Sequence, residues 1–79
     1  MFMTRKEQLE QALAWKNDWP VGSKGLLKIY GGERQVKVMR SQLERGWPLL
    51  YLIDDYGSDH WLLYSARKRL SKKIERRER

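Results

Sequence analysis

Cysteine is absent from the chain, which excludes a disulfide framework and a thiolate zinc site as supports for a small fold. With one histidine and no thiol, the usual nucleophile–base pairings are missing. Ser23, Ser41, Ser58, Ser65 and Ser71 have no evident general base, and an enzyme is not expected. Long hydrophobic runs are lacking too. None approaches the roughly 18 residues needed to cross a bilayer, and the N-terminus lacks the charged-then-apolar order of a signal peptide. The expectation is a soluble cytoplasmic protein with no membrane partner and no cofactor. Acidic residues are scarce: ten Asp and Glu stand against 17 Lys and Arg, giving a formal net charge of +7. At 79 residues the chain can bury one modest core and not two.

The cations are unevenly placed. Residues 24–45 carry six Lys/Arg against two acids and residues 67–79 carry eight against two, whereas residues 54–59 hold Asp54, Asp55 and Asp59. Two basic segments thus flank an acidic turn. Such a chain attracts phosphates and acidic surfaces, so double-stranded DNA is the leading partner. Asp54, Asp55 and Asp59 form a candidate protein-partner site. With His60 they match no established metal-ligand spacing, and Asp/Gly-rich turns are common for conformational reasons, so no metal is expected. Trp15, Trp19, Trp47 and Trp61 could form a base-stacking platform for single strands. Their positions beside turns and in a hairpin read more simply as core and hinge packing.

Thr4-Arg5-Lys6-Glu7 is a capping box, predicting a helix over 4–17 that ends before Pro20. Ser23 can cap a short second helix over 24–30, stopped by Gly31-Gly32. Good helix formers run from 33 to 45, and Gly46 with Pro48 supplies a stop. Two β-prone runs, 49–53 and 61–64, then enclose a polar turn and predict a hairpin. Both faces of these runs are apolar, so each face is expected to have a neighbour. Ala66, Leu70 and Ile74 at i, i+4, i+8 predict a final basic helix.

On a 33–45 helix, Val36, Met39 and Leu43 form a core stripe, and Arg34, Val38, Ser41 and Arg45 lie opposite. That face suits a major groove, with Arg34, Gln35, Lys37, Val38 and Ser41 against base edges. Lys24, Lys28, Arg40, Arg45 and the tail cations Arg67, Lys68, Arg69, Lys72 and Lys73 would then meet phosphates. A Lys/Arg-rich outer face is also what an ordinary solvated helix presents.

Taken in order, the short helix Leu26-Leu27-Lys28-Ile29-Tyr30, the Gly31-Gly32 turn, the basic helix and the exit Leu43-Glu44-Arg45-Gly46-Trp47-Pro48-Leu49 resemble a winged helix-turn-helix DNA-binding domain. The pattern is most similar to the N-terminal domain of the biotin-operon repressor group. The resemblance implies an α+β fold of three helices and a two-stranded wing over 1–66, with a basic helical tail over 67–79. It implies a non-catalytic transcriptional regulator or recombination accessory factor. A homodimer is expected, because one recognition helix reads few base pairs. Two alternatives stay open. Leu27-Lys28-Ile29-Tyr30 and Arg34-Gln35-Val36-Lys37-Val38 could instead form a hairpin about Gly31-Gly32, giving an SH3-like small barrel flanked by two helices that binds RNA or single strands. The chain could also be a protein-interaction module, inhibiting a nucleic-acid enzyme through its acidic turn.

Overall fold

A computed structural model describes residues 3–72. The first helix, α1 (Arg5–Asn17), starts at the expected capping box: the Glu7 amide donates to Thr4 Oγ1 (3.1 Å), and the Thr4 amide donates to Glu7 Oε1 (2.9 Å). Five strands follow: β1 (Lys24–Ile29), β2 (Gly32–Glu44), β3 (Trp47–Asp54), β4 (Asp59–Leu63) and β5 (Leu70–Lys72). A 3-10 segment, Tyr64–Arg69, links the last two. All pairings are antiparallel, in the order β4-β3-β2-β1-β5.

The winged-helix expectation is therefore wrong. Neither 24–30 nor 33–45 is helical; each is a strand, and they pair directly from Lys24 opposite Lys37 to Ile29 opposite Gly32. The turn between them centres on Tyr30 and Gly31, the latter at φ +87°, one residue ahead of the glycine pair. Two physical reasons defeat the helix. Residues 40–44 have weak strand propensity but pair along the apolar run 47–51, and packing outweighs intrinsic preference in sheets. The broken alternation around Met39 is a β-bulge between Val38 and Arg40, which resets the inside-outside pattern by one residue. The final helix is also replaced: Ala66 lies in the 3-10 segment and Leu70 is buried in β5, while Lys73 and Ile74 lie outside the described residues.

One core joins the strands. Leu27, Val36, Val38, Leu50, Leu52, Leu62 and Leu70 pack with Trp19. Leu62 belongs to β4 and Leu70 to β5, the two ends of the strand order, so one core runs across the whole inner face of the sheet. Trp15 of α1 packs against this core. Gly25 is required at its position, because a Cβ there would meet the Ser71 carbonyl oxygen at 2.6 Å and the Trp19 ring at 2.7 Å. Pro48 sits where β3 extends beyond its pairing with β4, which begins at Leu49, so its missing N–H leaves no gap in that ladder.

Candidate nucleic-acid interface

Strand alternation sorts β3 into two sets. Pro48, Leu50, Leu52 and Asp54 point inward and are buried; Trp47, Leu49, Tyr51 and Ile53 point outward. On β4, Leu62 is buried while Trp61 and Leu63 are outward and about half exposed. The register aligns the outward residues into rows across three strands: Arg40, Tyr51 and Trp61 in one, Gln42, Leu49 and Leu63 in the next. A third row runs Lys24, Lys37, Ile53 and Asp59. The outer face thus carries an aromatic and aliphatic surface on β3–β4 bordered by cations on β1–β2.

The middle row is built to hold an aromatic surface in place. The Tyr51 and Trp61 rings lie 4.5 Å apart between centroids at 34°, and the Tyr51 hydroxyl donates to Asp59 Oδ2 at 3.2 Å. Burial and the neighbouring Asp59 raise the Tyr51 phenol above its ordinary value, so it stays a donor. Trp61 remains 52% exposed. Lys24 and Lys37 stand directly opposite one another, an arrangement that destabilises a sheet unless an anion lies nearby. Among the described residues, Lys24, Lys37 and Arg40 have no ion-pair partner.

The β3–β4 turn is held from inside. Asp54 is buried, and its Oδ1 accepts from the Tyr56 and Ser58 amides, both at 2.9 Å. Its Oδ2 lies 2.9 Å from His60 Nε2. The His60 hydrogen bond holds the Asp54 carboxyl below its ordinary pKa; burial opposes this, and the two amides reinforce it. The three aspartates do not make one acidic surface. Asp54 is turned inward, Asp59 is engaged by Tyr51, and the Asp55 amide donates to the Gln35 carbonyl. Among the described residues no group of three or more His, Asp or Glu side chains could hold a metal ion.

The residues expected to read bases do not share a face. Val38 is 1% exposed in the core, Ser41 pairs opposite the inward Leu50, and the Arg34 guanidinium lies 3.9 Å over the Tyr56 ring. Only Gln35 and Lys37 fall on outward positions. Of the expected phosphate contacts, Lys24, Lys28 and Arg40 lie on the outer face, and Arg45 lies in the β2–β3 turn. Lys68 is exposed in the 3-10 segment. The others are tied to the fold: Arg67 stacks on Tyr64, Arg69 donates to the Lys28 carbonyl, and Lys72 donates to the Asp18 carbonyl while lying over Trp19.

Sequence reasoning misses Tyr51 and Leu63, and it raises Trp61 as a stacking residue but reads it as packing. The signal is present in the two apolar faces of the hairpin strands, but among the described residues the outer face is left partly open, with Trp61 and Leu63 about half exposed. No helix among the described residues is long and apolar enough to cross a membrane. No family model, curated protein or solved structure matches the chain.

Proposed function

We propose that the protein is a non-catalytic module that binds single-stranded nucleic acid on the outer face of β2–β4. The observation that carries this reading is the Arg40–Tyr51–Trp61 row, a half-exposed indole and a partly buried phenol ring beside an unpaired arginine. Bases in a duplex are stacked on each other, whereas unpaired bases can stack on an exposed indole or phenol ring. Arg40, Lys37 and Lys24 border the aromatics on the side where a sugar–phosphate backbone would run. Their mutual repulsion is relieved when phosphates lie among them. The acidic Asp59 lies at the far side of the aromatic pair and orients Tyr51.

The test is titration of a labelled short single strand and of a duplex of equal length. The single strand binds more tightly, and Trp61→Ala weakens it by about 5- to 150-fold, the range of about 1–3 kcal/mol per stacked base. Replacing Lys37 and Arg40 by Ala makes binding less sensitive to salt, by about 0.7 in slope for each phosphate that is no longer neutralised. An affinity that Trp61→Ala leaves unchanged, or a duplex bound as tightly as the single strand, overturns the reading.

A further inference from the structure

A half-open groove of about 820 Å³ lies where α1 meets the β2–β3 turn. Gln8 and Gln11 of α1 line it together with Glu44, Arg45, Trp47 and Leu63. It continues the outer face. Leu63 stands in the row next to Trp61, and Trp47 is the outward residue four positions before Tyr51, roughly 13 Å along the strand. Among the described residues, the side chains of Gln8, Gln11, Glu44 and Arg45 make no hydrogen bond or ion pair with the rest of the chain. Arg45 also occupies φ +52°, a conformation that L side chains rarely adopt.

We infer that this groove takes one unpaired nucleobase bearing an exocyclic amino group, the next part of a strand whose neighbouring bases stack on Tyr51 and Trp61; the inference rests on the single-strand reading above. Trp47 offers the stacking surface. Glu44 is an acceptor-only group, suited to the N4 amino group of cytosine or the N6 amino group of adenine. Thymine and uracil present a carbonyl oxygen at that place, and it would face the carboxylate with lone pair against lone pair. Gln8 and Gln11 each supply a donor and an acceptor for the remaining base edge, and Arg45 faces the phosphate. The lining discriminates against other occupants. An apolar peptide would leave Glu44 and Arg45 without partners, and a free phosphate could pair with Arg45 and Arg67 but would make no use of Trp47 or of the acceptor Glu44.

Short oligocytidylate and oligothymidylate of equal length provide the test, since both are pyrimidines and differ where Glu44 reads. The wild-type protein binds oligocytidylate about tenfold more tightly, the scale of one hydrogen bond to a charged group. Glu44→Ala brings the two affinities within about twofold. It also strengthens oligothymidylate binding, because an anion near the phosphates is removed. A Glu44 that acts only through its charge would strengthen both ligands equally and keep their ratio, which overturns the inference; so does a wild-type protein that binds the two alike. Trp61→Ala weakens both ligands and keeps the ratio. Its failure to weaken either removes the single-strand reading, whereas a ratio untouched by Glu44→Ala removes only the groove assignment. Glu44 is exposed in its strand, so folding of the variant is not at issue, and circular dichroism verifies it.

Discussion

The two faces of β3 and β4 are both apolar, yet they differ in kind. The inner set, Leu50, Leu52 and Leu62, is aliphatic and almost completely buried; the outer set, Trp47, Leu49, Tyr51, Ile53, Trp61 and Leu63, is half aromatic and partly exposed. Aliphatic side chains fill a closed space well, and aromatic rings flanked by cations present a flat, polarisable surface to another flat group. An apolar outer face therefore does not require a second covering layer. Under the proposed function, stability belongs to one face and recognition to the other.

The sharpest way to break this comparison is to truncate one residue from each face. Leu52→Ala leaves a cavity in the closed core and costs about 2–5 kcal/mol, read by chemical denaturation. Trp61→Ala costs less than about 1 kcal/mol in the same measurement. Equal losses would mean that the outer face is covered in solution, and the division of roles would collapse. The inner face is sharpened next by Gly25→Ala, which drives a Cβ into the Ser71 carbonyl and the Trp19 ring. Backbone on one side and a packed indole on the other leave little room to yield, so about 1–3 kcal/mol is lost. A neutral Gly25→Ala would show that Trp19 is free to move away from β1.

How much of this is legible in the sequence depends on the residue. Thr4 and Glu7 announce α1 because capping is local chemistry, decided within one turn. The hairpin around Asp54 to Asp59 is legible for the same reason. Residues 33–45 are not, because their strand is fixed by partners elsewhere in the chain: Lys24 to Ile29 on one side and Trp47 to Asp54 on the other. Without that pairing, Glu33, Gln35, Lys37 and Arg40 read as helix formers. Val38 falls on a DNA-facing surface if the segment is a helix and is instead a core residue, because strand alternation, interrupted by the bulge at Met39, decides where it points. Trp61 reads as packing because a tryptophan in a short chain is more often buried. Its exposure depends on which face of the hairpin the core occupies, which only the packing of the whole sheet determines.

Asp54 is the acidic exception on the inner face, and it separates the two faces by pH. Its folded carboxyl titrates below the unfolded value, chiefly through the His60 hydrogen bond. The stabilisation it provides is fully present above about pH 3.9, the ordinary aspartate value, and is lost as pH falls through the lowered folded value. Thermal melts across the acid range should show Asp54→Asn melting below the wild-type protein at neutral pH and converging with it under acid. A gap that stays constant with pH would mean that Asp54 acts through turn geometry alone and that its charge is immaterial.

The smallest effect tests the same contrast at one residue. Arg45 and Gly46 form the two-residue β2–β3 turn with φ of +52° and +84°, the geometry for which asparagine followed by glycine is favoured. Arg45→Asn therefore raises stability by about 0.5 kcal/mol, measured as a rise in the denaturation midpoint. The same substitution removes a cation from the proposed nucleotide groove and weakens single-strand binding. A turn selected only for folding has no reason to keep arginine in a left-handed conformation, so opposite signs for stability and binding are the signature of a residue held there for its ligand. If stability and affinity both rise, Arg45 contributes nothing to recognition, and the outer face ends at Trp47.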